Sequence, residues 1–206
     1  KPASEITDKD LVYAIAVAGD LRNKCYQLQV SWAGADACPK NRVAKLEELE
    51  WNTTTTGGFS YNENMLNSGK AGSTYVTDGC MDISDEVGTS KIGKPHTGED
   101  KNYIESPYSE NSITDFYDNI LSIQNSYMGG IEGKRDEAKS LHAYVKSVNA
   151  DLDSKVVAAI DNALAKIKGM KAPFVKNNTD ASCQEAMDAC DALNKVLATV
   201  KEELAK

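Results

Sequence analysis

A chain of 206 residues that is 41% hydrophobic and 26% charged can bury a substantial core, as one large domain or two small ones. Its net charge of −8 argues against a surface that neutralises phosphates, so no nucleic-acid partner is expected, and it disfavours adhesion to anionic lipid. No apolar run reaches the ~18 residues of a membrane span, so no transmembrane span is expected.

The chain opens Lys1-Pro2-Ala3-Ser4, without an initiator Met or an apolar leader. Thr7 to Trp32 then reads as a long helix. Thr7 is an N-cap with Asp10 three residues on, and Leu11, Ile15, Ala18, Arg22, Cys25, Leu28 and Trp32 follow at spacings of three or four. Gly34 and Pro39 end it. Lys40 to Trp51 is either a short helix or a turn-rich connection.

From Asn52 to Ser73 the composition turns to Thr, Gly, Ser and Asn, which is loop chemistry. A helix is expected over Tyr75–Lys91 despite Gly79 and Gly88, because Val76, Met81 (or Cys80), Ile83 and Val87 form a rough stripe. Ile92 to Tyr103 reads as loop again. The stretch from about residue 50 to 105 is therefore taken as a long decorated insertion, with 52–73 its most irregular part.

Phe116, Ile120, Ile123 and Tyr127 follow with 4-3-4 spacing, one face of a helix that Gly129-Gly130 stops. Lys139 to Met170 carries Leu141, Val145, Val148, Leu152, Val156 and Ile167 at helical period, as one helix or as two parted near Asn149. Pro173 stops it. Thr179 and Asp180 cap a last helix whose stripe is Cys183, Met187, Cys190, Leu193, Leu197, Val200 and Leu204. Nothing alternates with period two for long enough to build a sheet. The expected fold is all-α, an antiparallel helical bundle in a single domain over 1–206.

Five cysteines are an odd number with no CxxC spacing, and they read as small core residues. His96 and Glu99 have the HxxE spacing of two metal ligands, but Gly93, Pro95 and Gly98 argue against the helix that would make the spacing useful. His142 reads as a surface or partly buried helix residue. Asp82 and Glu86, at i and i+4, form either a solvated acidic face or half of a hard-cation or iron site. The densest polar group is Glu105, Ser106, Ser109, Asn111 and Asp115 at the mouth of the Phe116 helix. Asp118 and Asn119 follow within it. Helix capping and loop bonding account for about half of this group, which leaves room for a binding site.

These segments carry a resemblance. The run Asp78-Gly-Cys-Met-Asp-Ile-Ser-Asp-Glu-Val-Gly-Thr-Ser-Lys-Ile-Gly-Lys-Pro95, then Glu105-Ser-Pro-Tyr-Ser-Glu-Asn-Ser112, then Asp115 to Gly129, resembles the C-terminal half of imelysin-like proteins. Ser140 to Val145, Asp151-Leu-Asp153, Ala172-Pro-Phe174 and the opening Asp20-Leu-Arg…Trp32 are similar to the same proteins in the same order.

The resemblance implies a bacterial cell-envelope protein, periplasmic or lipid-anchored, linked to iron or haem uptake and built from two helical halves. The family is classed with metallopeptidases on a GxHxxE motif, which belongs upstream of the first helix here. His96 does not replace it, since Lys94 stands where the motif asks for glycine. The resemblance thus implies a fragment or cleavage product whose partner is the N-terminal half or a symmetry mate. No catalytic residue is expected in this chain. Iron or zinc would be a cofactor only if the other half supplies ligands. Glu105, Ser106, Ser109, Asn111, Asp115, Asp82 and Glu86 are then half-site candidates, and the helices should expose an apolar face.

Overall fold

A computed structural model describes residues 2–53 and 70–206. The chain forms two compact units, Lys1–Gly69 and Lys70–Lys206. The described residues are helical and irregular, with no strand among them.

In the first unit, α1 spans Asp8–Ala33 and opens on the expected cap. Thr7 N–H donates to Asp10 Oδ2 at 2.8 Å, and Asp10 N–H donates back to Thr7 Oγ1. Gly34, at φ 84°, provides the left-handed stop that favours glycine. Helix α2 covers Lys40–Glu48, which settles that segment as helical. The core is small. Val30, Cys38 and Leu46 are buried, with Tyr26, Ala35, Val43 and Trp51 against them. The Lys24 ammonium lies 4.0 Å from the Trp51 ring centroid. The stripe read from the sequence forms on α1 but is not covered: Leu11, Ile15, Leu28 and Trp32 all stand exposed.

The second unit holds α3 (Lys70–Asp85), a π-helical turn (Glu86–Ile92), α4 (Gly93–Thr97), α5 (Ser112–Met128), α6 (Leu141–Val148), α7 (Ala150–Lys168), α8 (Phe174–Asn177) and α9 (Ala181–Leu204). Helix α9 packs on α3 and α7, and α5 packs on α7. Phe116, Ile120, Ile123 and Tyr127 are buried to within 1% of completely, so the 4-3-4 spacing is the core line of α5. The same core contains Val156, Ile160 and Ile167 of α7 and Cys190, Leu193 and Leu197 of α9. Asn149 separates α6 from α7 and caps the latter, its side chain accepting from Leu152 N–H at 3.1 Å. Asp180 caps α9. Its bonds from Ser182 hold its carboxyl below the usual range.

The insertion expected over about 50–105 is shorter than the sequence suggested. The chain is helical from Lys70 to Thr97, so Lys70–Ser73 and Ile92–Thr97 join the helices. Residues 54–69 of the expected 52–73 loop lie outside the described residues. The reason for the difference is what α9 offers these glycine-containing turns. A Cβ on Gly88 would sit 2.9 Å from the Cys190 Cβ, and one on Gly93 would sit 2.9 Å from the Gly88 carbonyl oxygen. Glycine at 88 permits close packing on α9, and glycine at 93 permits the tight closure of the π turn itself. The buried face of α3 also runs through Thr77, Cys80 and Ser84, between the apolar positions of the expected stripe. Ser84 Oγ satisfies itself on the Cys190 carbonyl at 2.8 Å, and Thr77 Oγ1 on that of Ser73 at 2.9 Å.

Candidate functional site

The π turn decides which charges meet. Continued as a regular α-helix, the buried line Cys80, Ser84, Val87 would reach Lys91 next, by 4-3-4 spacing. Burying that ammonium without full compensation is costly. Closing i→i+5 across Glu86–Ile92 takes up one extra residue. Ile92 then takes the core position at 0% exposure, and Lys91 swings aside with 16% of its side chain exposed.

Lys91 Nζ lies 3.0 Å from Glu105 Oε2 and donates to Asn119 Oδ1 at 2.9 Å. The π turn, the 102–105 segment and α5 are thereby tied together. A cleft of about 380 Å³ opens beside them, lined by Glu86, Lys91, Asn102, Tyr103, Ile104 and Glu105. The Lys94 ammonium lies 4.8 Å from the centre of the Tyr103 ring.

The structure divides the seven residues singled out in the sequence. Glu86 and Glu105 line this cleft. Asp82 stands exposed on α3 and does not line it. Asn111 occupies the N-cap position of α5 but makes no side-chain cap. Its Nδ2 donates instead to Asp115 Oδ1 at 2.9 Å, so part of the expected capping role is replaced by side-chain pairing. Asp115 Oδ2 is buried and accepts no hydrogen bond. Ser106 and Ser109 build their own loop, with Ser109 Oγ donating to the Ser106 carbonyl. Ser106 and Glu110 hold φ of 53° and 56°, a left-handed backbone uncommon outside glycine. Contacts at both ends enforce it. Ser112 Oγ donates to the Glu105 carbonyl, and Lys176 Nζ pairs with Glu110 Oε1 at 2.6 Å.

His96 is helical after all, in α4, but Gly98 turns left-handed before Glu99. The imidazole Nδ1 is 2.8 Å from the Asn178 carbonyl oxygen, an anchor to the α8–α9 connection. His142 belongs to a buried network. Its Nδ1 is 2.7 Å from Asp153 Oδ1, and the Tyr127 hydroxyl donates to the same oxygen at 2.9 Å. Asp153 is 4% exposed. Burial, reinforced by this carboxylate, pushes the Tyr127 hydroxyl well above its ordinary pKa.

An iron or zinc ion does not fit this site. Lys91 already places a positive charge against Glu105, where a cation would have to sit. Among the described residues, no three His, Cys, Asp or Glu side chains converge as metal ligands. Asp115 Oδ2 is a single orphan oxygen, short of a coordination sphere.

Lys91 and Tyr103 were missed by sequence reasoning. The only signal for Lys91 was an ammonium falling on the apolar phase of a helix. Asp153, likewise, was hidden on the face that also carries Leu152 and Val156.

The imelysin family model (Peptidase M75) matches residues 4–200. No curated protein matches. A solved imelysin peptidase from Bacteroides ovatus is 29% identical and superposes with a TM-score of 0.68, over 89% of this chain and 51% of its own. A Parabacteroides distasonis protein described as an iron-regulated protein A precursor is 36% identical, with a TM-score of 0.56 over 60% of this chain and 38% of its own. This chain therefore spans about half the length of the first and less of the second. With nearly its whole length matched by the family model, the chain belongs to the imelysin family.

Proposed function

We propose that this chain is one helical part of a cell-envelope binding protein linked to iron or haem acquisition, and that it performs no catalysis itself. The observation that carries the reading is the 36% identity to a protein described as iron-regulated. The partner in this reading is a further helical part of the same longer protein, or a second copy. The exposed apolar side chains of α1 and the cleft held by Lys91 are consistent with surfaces that a further part would complete. Because the described residues do not fit a metal, iron or haem would be held chiefly by groups other than these.

The test is titration of ferric iron and of haem into the longer protein, alongside a peptide-cleavage assay with and without chelator. Saturable binding without cleavage is the expected result. Stoichiometric zinc with chelator-sensitive cleavage would overturn it. That outcome would favour the second reading, a metallopeptidase whose ligands lie outside this chain, which the name of the Bacteroides ovatus protein supports.

A further inference from the structure

The cleft beside the π turn carries a chemistry independent of iron. In an α-helix, residues five apart point about 140° away from each other. In a π turn the i→i+5 closure stacks them one turn apart. Glu86 opens the turn and Lys91 lies five residues later, and both line the same cleft. The turn therefore sets a carboxylate and an ammonium side by side on one wall.

Their bonding leaves both available. A lysine ammonium has three N–H donors, and Lys91 uses one on Glu105 and one on Asn119. One donor remains. Glu86 is exposed and has no ion pair or hydrogen bond among the described residues. Of the charged residues that line the cleft, Lys91 offsets Glu105 and Glu86 is left as the one uncompensated carboxylate, with Lys94 nearby against the Tyr103 ring. The lining thus disfavours a bare anion and offers a ligand ammonium a free carboxylate, while the remaining Lys91 donor can take a carboxylate on the same ligand. Tyr103 and Ile104 add apolar wall, and about 380 Å³ lies within the range of small-ligand pockets.

We infer that this cleft binds a free α-amino acid with an apolar side chain, its ammonium on Glu86, its carboxylate on Lys91, and its side chain against Tyr103 and Ile104. No bond is made or broken. The inference does not rest on the iron reading, and its test is run without metal, so the two stand or fall separately.

The experiment is calorimetric titration of the full chain with L-leucine. L-leucinamide, which lacks the carboxylate, and N-acetyl-L-leucine, which lacks the ammonium, serve as single-charge probes. Saturable one-to-one binding of L-leucine is expected. Each single-charge probe should bind about ten-fold more weakly, the factor that corresponds to ~1.4 kcal/mol. Glu86→Gln, at an exposed and unpaired position, should keep the fold and weaken L-leucine about ten-fold. Lys91→Met should do the same, with circular dichroism confirming that it is folded. No saturable heat with L-leucine overturns the inference. So does equal binding of either single-charge probe, or unchanged affinity in Glu86→Gln.

Discussion

Helices α1 and α5 carry the same sequence signal and meet opposite fates. Both repeat apolar residues at spacings of three and four. On α5 every residue of the stripe is buried. On α1 only Val30, which lies off the stripe, is buried, while Ile15 is 73% and Leu28 61% exposed. Periodicity therefore reports that a helix has a face. It does not report whether the cover for that face lies within the same unit. The second unit supplies cover because α7 packs on both α5 and α9 and their stripes share one core. Among the described residues of the first, the cluster holds Val30, Cys38, Leu46 and a few partly buried neighbours.

The sharpest way to break this contrast is truncation on each helix. Phe116→Ala removes a ring that packs edge-on to Phe174 at 5.2 Å and is expected to cost about 3–5 kcal/mol. Ile15→Ala, on an exposed position, should stay within about 0.5 kcal/mol. Urea midpoints of the two variants check both. A large loss from Ile15→Ala would mean that α1 is covered in solution.

Next in size is the polar network inside the well-packed unit. Asp153→Ala strands the Tyr127 hydroxyl and the His142 imidazole, at about 1–3 kcal/mol for each orphaned group. Denaturant unfolding of the variant measures the loss. A near-neutral result would show that water replaces the carboxylate.

The same network gives a pH dependence. The folded pKa of Tyr127 is raised, so its contribution is intact below the ordinary tyrosine value of about 10 and is lost as pH rises above it. The unfolded chain releases this proton first, and stability should fall by about 1.4 kcal/mol for each pH unit beyond that point. Comparing denaturant midpoints at mild and strongly alkaline pH, Tyr127→Phe should show a shallower decline than the parent chain. Parallel declines would refute the assignment.

The smallest effect is kinetic and compares the units directly. Burial pushes the thiols of Cys80 and Cys183 up to about 11 and that of Cys190 up to about 12, so all three stay protonated near neutral pH. Cys25 is exposed and should be alkylated first. Cys38 is buried, but within the smaller core. If that core opens more readily, iodoacetamide followed by mass spectrometry will find Cys38 labelled before Cys190. Equal protection would show that the small core is as tight as the large one.

How much of this was legible follows from what each feature depends on. Local chemistry read well. Thr7 with Asp10 gave the start of α1, and the structure decides for the break near Asn149 and for Asp180 of the Thr179/Asp180 cap, each of which the sequence had left open. The stripe of α5 was legible because four large apolar residues share one phase. The helix through Lys70–Thr97 was only partly legible, since its core line includes Thr77, Ser84, Gly88 and Gly93. Ser84 suits this line because α9 offers it a carbonyl, Gly88 because the Cys190 side chain of α9 comes close, and Gly93 because the Gly88 carbonyl of its own turn does. Of the residues that line the cleft, Glu86 and Glu105 had been singled out for their carboxylates. Lys91 was not, because its place depends on a change of helical pitch that no local pattern announces.

That change of pitch can also be put as a matter of insertion. The chain from Cys80 to Ile92 holds one residue more than a regular helix with the same buried face requires, and the π turn stores the surplus in place. Removing a single exposed residue there, such as Thr89, would restore the α repeat and keep the flanking helices in phase. It would also break the five-residue step between Glu86 and Lys91. The surplus residue thus adds nothing to the core, yet it separates a plain packing helix from one that gathers charge at its side.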